Sequence, residues 1–145
     1  MRSAPAFLIL ALVACAPDSG TAEEQAASTT EPAAASGLSI FAGAGRDRFC
    51  LDPRAGRAGF ITYGDGDANC SVRASVQQTG DRIAITPDGD QSCRIDGVLA
   101  GTQIRLGEVG PGCDYYCGPG ADFAGRIFER SAGGTATDLA GDPLC

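Results

Sequence analysis

The chain has 145 residues, of which 18 are Asp or Glu and 11 are basic, and it contains no His. Because all 11 basic residues are Arg, it has no Lys either. These absences exclude Ser-His-Asp and Cys-His nucleophilic sites, Ser-Lys dyads, Schiff-base chemistry and His-containing zinc sites. The acidic balance also disfavours a nucleic-acid partner. We therefore predict that the protein is not an enzyme and has no catalytic residue, metal site or cofactor.

Residues 1–14 are predicted to be a signal peptide. The apolar run 7–14 is far shorter than the ~20 residues that a membrane-spanning helix needs. It ends in Leu12-Val13-Ala14-Cys15, which resembles the lipobox of bacterial lipoproteins. The resemblance implies cleavage before Cys15, lipid attachment to that residue and, since Ala16 follows it, sorting to the outer membrane. The alternative is an ordinary signal peptide with a cysteine nearby by chance.

Residues 15–37 are predicted to be the lipidated cysteine and a flexible tether. The segment 16–37 is rich in Ala, Ser, Thr and acids and has no large apolar side chain, so it cannot offset its own ordering entropy. As a flexible coil it would hold the following domain on the order of 25–30 Å from the anchor. Residues 38–145 are long enough to form one domain with its own core.

A repeated segment organises this domain. Residues 64–70 return 23 positions later as residues 87–93, and each copy is an Asp-Gly turn followed by a cysteine. Asp-Gly between alternating apolar residues predicts β-hairpins. The predicted strands are 48–51, 59–63, 71–77, 82–86, 93–99 and 103–107. We predict an all-β fold, a small antiparallel meander that closes into a barrel or tight sandwich. At most one short helix is expected, opening at 119–123 with Ala124, Ile127 and Phe128 on one face.

Six cysteines in an exported domain indicate a disulfide framework: Cys50, Cys70, Cys93, Cys113, Cys117 and Cys145. Cys70 and Cys93 should lie on strands separated by one other strand, roughly 10 Å apart, which exceeds the ~7 Å that a disulfide spans. Both lie near the end to which the chain returns just before Cys113, so each should pair with Cys113 or Cys117. We favour the set Cys93–Cys113, Cys70–Cys117 and Cys50–Cys145.

Three further chemistries are weaker alternatives. Cys113-x-x-x-Cys117 would fit a redox pair or half a metal site, but four other cysteines favour structural disulfides. Asp65-x-Asp67-x-Asn69 matches the first half of a calcium loop, but Cys70 replaces the required Gly, which favours a tight turn. A carboxylate-only hydrolase would need two acids about 5–10 Å apart in a cleft, a geometry that a sequence does not display.

The candidate binding residues are Asp65, Asp67, Asp88, Asp90, Tyr115 and Tyr116. Successive hairpins should place both Asp-Gly turns at one end of the sheet. Four carboxylates there would engage a cationic protein partner, or divalent cations at about 10⁻⁴–10⁻³ M. The alternative is a set of solvated turn residues. The tyrosine pair would anchor a partner, although such a pair more often packs one ring inward.

Several motifs resemble those of uncharacterised small Cys-rich envelope lipoproteins of Gram-negative bacteria, among them Phe49-Cys50-Leu51, Tyr63-Gly64-Asp65-Gly66 and Cys93-Arg94-Ile95. The likeness covers most of residues 47–128 and implies no assigned activity. In architecture the predicted domain is also similar to periplasmic lysozyme inhibitors. We predict an envelope lipoprotein, anchored in the outer membrane with its domain in the periplasm or at the cell surface. It would act as a binding or inhibitory module. The alternatives are a structural envelope protein and a carboxylate-based hydrolase of envelope glycans.

Overall fold

The computed structural model describes residues 37–145; the predicted signal peptide, Cys15 and the tether up to residue 36 lie outside them. The strands are β1 (Ser39–Ala42), β2 (Arg48–Asp52), β3 (Arg57–Tyr63), β4 (Asn69–Thr79), β5 (Arg82–Pro87), β6 (Ile95–Ala100), β7 (Gln103–Leu106) and β8 (Ile127–Arg130). Each strand pairs antiparallel with the next, and β8 pairs with β1, so the sheet closes into a barrel. The predicted all-β, disulfide-stapled meander is confirmed.

Alternation of apolar and polar residues determines the register of this sheet. In β4, Cys70, Val72 and Ala74 are buried, whereas the residues between them are partly or fully exposed. A slip of one residue would expose the apolar set, so the register is strongly specified. The six predicted strands correspond to β2–β7, with ends that agree to within two residues.

The predicted helix opening at 119–123 is wrong. Residues 124–125 form a turn in which Gly125 has φ +66°, and Ile127 begins β8. Ala124 lies in the turn, Ile127 is 39% exposed and Phe128 is fully buried, so these three residues do not share the apolar face that the predicted helix required. Strands β1 and β8 were not predicted. The described residues contain a single 3₁₀ helix, Asp114–Tyr116, and no helix among them is long and apolar enough to span a membrane.

Large side chains fill the barrel interior. Phe49 lies at its centre, with ring centroids 6.1 Å from Phe41, 6.0 Å from Phe60 and 5.4 Å from Phe128. Aliphatic residues complete the core, namely Leu51, Val72, Ile83, Ile85, Ile95, Ile104 and Leu106. Because these side chains occupy the interior, a ligand has to bind at the ends of the barrel or on its outer wall.

A second, smaller apolar cluster lies outside the barrel wall. The C-terminal tail packs there against β2 and β3, where Leu144 is fully buried beside Ile61. A Cβ at Gly59 would overlap the Leu144 backbone, so this glycine lets the tail lie flat on β3. The Cys50–Cys145 disulfide fixes the end of the tail to β2. Residues 37–145 thus contain the eight described strands, both clusters and three disulfides.

Candidate functional site

Alternate connections of the meander share one end of the barrel. We call the end that carries the connections 43–47, 64–68, 88–94 and 107–126 the loop end. The opposite end, at which the chain enters β1, is the entry end. The loop-end connections carry three arginines, Arg46, Arg94 and Arg126, against eight acids, Asp47, Asp65, Asp67, Asp88, Asp90, Glu108, Asp114 and Asp122. The negative charge of the domain is therefore concentrated at the loop end.

Two disulfides hold the longest connection across this end. Cys113 is bonded to Cys93, just before β6, and Cys117 is bonded to Cys70 on β4. The Cα atoms of these pairs are 4.7 Å and 4.0 Å apart. The segment 113–117 is thus fixed to the barrel at both of its ends.

The three disulfides, Cys50–Cys145, Cys70–Cys117 and Cys93–Cys113, are the set favoured from the sequence. Cys70 and Cys93 are fully buried. Cys113 bonds to the connection before β6 and Cys117 to β4, and the two do not bond to each other. They therefore act as structural staples here, which accords with the preferred interpretation of that motif.

The segment between the staples presents one tyrosine to solvent. Tyr115 is 89% exposed, whereas Tyr116 is half-buried and packs against the core. The Tyr116 hydroxyl donates to Asp90 Oδ2 at 3.1 Å, and the two rings meet edge to face with centroids 5.7 Å apart. The expected division of the pair into one inward and one outward ring is confirmed. Most of the Tyr115 ring therefore faces solvent.

Hydrogen bonds shift the pKa values of Asp90 and Tyr116. Asp90 accepts hydrogen bonds from the Ser92 hydroxyl at 2.6 Å and the Ser92 amide at 2.8 Å. These bonds, the hydroxyl first, hold the pKa of Asp90 below its usual value. Burial, followed by the hydrogen bond to Asp90, raises the pKa of Tyr116. At neutral pH this network therefore pairs a phenol donor with a carboxylate acceptor.

The other turn aspartates have separate partners. Asp88 forms a bidentate pair with Arg57 at 2.8 Å and 2.7 Å. The Arg57 hydrogen bonds, as the largest cause, lower the pKa of Asp88. Asp67 lies 3.4 Å from Arg46, and both side chains are exposed. Asp65 closes the β3–β4 turn, where its carbonyl accepts the Ala68 amide at 3.3 Å.

The two Asp-Gly turns therefore share an end of the barrel, but their four carboxylates do not form one cluster. Asp88 and Asp90 both act electrostatically on Tyr116, whereas Asp65 and Asp67 belong to the neighbouring turn. The described part of the chain contains no group of three or more acids or cysteines placed to hold a metal ion. Engagement of a cationic partner by these residues stays a prediction.

Sequence reasoning missed a buried ion pair beneath this end. Asp47, only 2% exposed, accepts the Tyr63 amide at 2.9 Å and Arg126 Nη1 at 3.3 Å. Arg126 Nη2 also donates to the Tyr63 carbonyl at 3.1 Å. These bonds tie the long connection to the β1–β2 and β3–β4 connections. Nothing in the spacing of residues so far apart in the chain signals this pair.

Sequence reasoning also missed a groove on the outer wall. Its volume is about 630 Å³, and it crosses β4–β7. The side chains that define it are Gln77, Arg82, Arg94, Asp96, Val98 and Arg105. The alternation of apolar and polar residues in the sequence does show which positions of each strand point outward. Which of them lie side by side depends on the register.

Comparison with protein-family models finds no match to this chain, and comparisons with curated proteins and with solved structures find none either.

Proposed function

We propose that this protein is a lipid-anchored envelope protein whose barrel is a binding or inhibitory module for a protein partner. Tyr115 would be the central contact. The observation that carries the proposal is the exposure of this ring, 89%, on a segment stapled at both ends by disulfides.

The staples make this segment suitable for binding because they reduce the entropy that binding has to remove. A loop already held in one conformation loses less freedom on association than a mobile one. Tyrosine is among the residues enriched at the energetic centres of interfaces, since it buries a large rigid surface and still offers a hydroxyl. The 3₁₀ turn at Asp114–Tyr116 directs Tyr115 outward while Tyr116 fixes the base of the loop.

The charge of the loop end supports a cationic partner. Asp114 is exposed beside Tyr115, and Asp88 and Asp90 lie near Tyr116. Charges of this kind at the rim of an interface mainly accelerate association and select partners, and salt screens them over about 10 Å at 0.1 M. Association with the partner should therefore slow as the salt concentration rises.

The direction of the chain leaves the loop end free for a partner. The strand β1 runs from the entry end toward the loop end, so the chain enters the barrel at the end opposite the stapled segment. The attachment of the preceding residues therefore does not cover Tyr115.

Photo-crosslinking tests this proposal. A photoreactive phenylalanine derivative is placed at position 115 in the lipoprotein as expressed in its own cells. The control carries it at position 139, because Leu139 is a hydrophobic residue that is 66% exposed in the C-terminal tail. We expect a discrete protein adduct at position 115 and none at position 139. Purification of that partner should then show binding weakened at least about 30-fold by Tyr115→Ala, which corresponds to the roughly 2 kcal/mol of an interface hot spot.

The same adducts at both positions, or an unchanged affinity of Tyr115→Ala, would refute Tyr115 as the anchor. Release of soluble fragments from envelope glycans by the purified protein would instead support the alternative of a carboxylate-based hydrolase.

A further inference from the structure

The outer-wall groove aligns two arginines on either side of a small apolar residue. Val98 on β6 lies directly opposite Arg82 on β5 and Arg105 on β7. All three side chains point outward, and Val98 is 41% exposed. With strands about 4.8 Å apart, the Cα atoms of the two arginines are roughly 10 Å apart. Their long side chains can therefore converge above Val98.

These two arginines differ from most others in the domain. Arg46, Arg57, Arg73, Arg94 and Arg126 each form an ion pair with an Asp. Arg82 and Arg105 form neither an ion pair nor a side-chain hydrogen bond with any residue of the range 37–145. An acidic domain has carboxylates to spare, so two uncompensated guanidiniums beside one groove are not a consequence of composition.

The groove also carries two acids, but neither forms an ion pair with Arg82 or Arg105 within residues 37–145. Asp96 lies 3.0 Å from Arg94, and Asp81 lines the groove at the β4–β5 turn. With Arg94 included, the groove holds three arginines against two acids and so has a net positive charge. Ala84, on the same face of β5 as Arg82, adds little bulk to the groove. A volume of about 630 Å³ lies within the usual range for small-molecule sites.

We propose that this groove is a binding site for a phosphate group, held between Arg82 and Arg105 over Val98. A guanidinium binds oxyanions through paired N–H donors in a planar fork. A carboxylate has only two oxygens, which one arginine can occupy by itself. A phosphate group offers more oxygens and more charge, so it can accept from both arginines together. Free phosphate, a soluble phosphate ester and the headgroup of an anionic lipid share this chemistry, and the probes below distinguish them.

Nuclear magnetic resonance of the arginine side chains tests the site. The sample is the chain from residue 15 onward with Cys15→Ser, which keeps every strand and all three disulfides. The probes are inorganic phosphate, glycerol phosphate, and vesicles of phosphatidylglycerol or phosphatidylcholine. We expect the Nε–H signals of Arg82 and Arg105 and the Val98 amide to shift with phosphate, with a Kd of about 1 mM.

Arg82→Gln and Arg105→Gln should each weaken phosphate binding about tenfold. The matched control is Arg54→Gln, since Arg54 is exposed in the β2–β3 turn and also lacks an ion pair within the described range. All three substitutions are on the surface, and unchanged thermal unfolding midpoints verify that the variants fold. Binding of glycerol phosphate in solution would identify a soluble ester. Shifts with phosphatidylglycerol vesicles alone would identify a lipid headgroup.

The phosphate site is overturned if no probe shifts Arg82 and Arg105 more than Arg54. It is equally overturned if Arg82→Gln and Arg105→Gln leave the phosphate Kd unchanged. Tyr115→Ala should not alter this Kd, because Tyr115 belongs to the loop end and the groove to the outer wall. Failure of the phosphate site is therefore distinguishable from failure of the proposed protein partner.

Discussion

Removing one loop staple should weaken both stability and partner binding. The change is Cys93→Ala together with Cys113→Ala, which leaves no free thiol. The bond closes a loop with a sequence separation of 20, for which the chain-entropy model gives about 3 kcal/mol of stability. Because Cys70–Cys117 still restrains the same segment in the unfolded chain, this value is an upper limit for the entropic part. The cavity left by two fully buried sulfurs adds to the loss.

The informative comparison is with the third disulfide. Cys50–Cys145 spans a sequence separation of 95, so the same model assigns it about 4.7 kcal/mol, more than the loop staple. It fixes the C-terminal tail to β2 and does not contact the segment 113–117. Its removal as Cys50→Ala with Cys145→Ala should therefore cost more stability and leave the Tyr115 loop unchanged.

Chemical denaturation measures the free energies of unfolding, and titration of the partner identified by crosslinking measures affinity under conditions where each variant is folded. We expect removal of Cys93–Cys113 to weaken binding about tenfold, because ordering one freed backbone residue costs about 1–2 kcal/mol and Cys70–Cys117 still holds the other end of the loop. We expect no change in affinity without Cys50–Cys145. Equal affinities for the parent and both variants would refute the argument that the staples preorganise the loop.

Three further outcomes are expected. Intact-mass analysis of membrane-extracted protein should show an N-terminus at Cys15 with acyl mass, and a soluble form that begins elsewhere would contradict the lipid anchor. Asp88→Asn should lower the free energy of unfolding by under about 1 kcal/mol, because its pair with Arg57 is half exposed. Since folding lowers the pKa of Asp88, this difference should be present above the unfolded value of about 3.9 and vanish as pH falls through the folded one; a difference that persists in strong acid would disprove it. The phenolate absorbance of Tyr116 should appear only above the ordinary tyrosine pKa of about 10. Tyr116→Phe should remove this titration step. If the parent protein shows no such step, the hydrogen bond from Tyr116 to Asp90 is contradicted.

Strands with strict alternation were predictable from sequence, and strands without it were not. β4 alternates from Asn69 to Val76 and was located within two residues at each end. β8 has only four residues, and Phe128 is its one buried side chain, so period two cannot be recognised in it. β8 forms because β1 and β7 each offer it a strand edge, and it pairs with both. Barrel closure, a tertiary effect, thus produced the two strands that local pattern did not reveal.

The disulfides were predictable for a similar reason. The pairing argument used strand separation and the end of the sheet at which each cysteine lies, and both follow from a meander topology. It needed no contact between particular side chains. A Cα separation of 4.0 Å for Cys70 and Cys117 is a consequence of where the long connection crosses the loop end.

Charged side chains were harder to place because their partners depend on register, which shifts along the closed sheet. The turn aspartates were assigned to one end correctly, yet Asp88 bonds to Arg57, 31 positions earlier in the chain, through the tilt of the strands. The same register sets Arg82 and Arg105 on either side of Val98 and leaves both without an ion pair among residues 37–145. The sequence shows which outward positions are charged, but only the closed sheet shows which of these charges form pairs. Arg82 and Arg105 stay unpaired in a protein with more acids than bases, and that is the physical reason to test this groove for an anion.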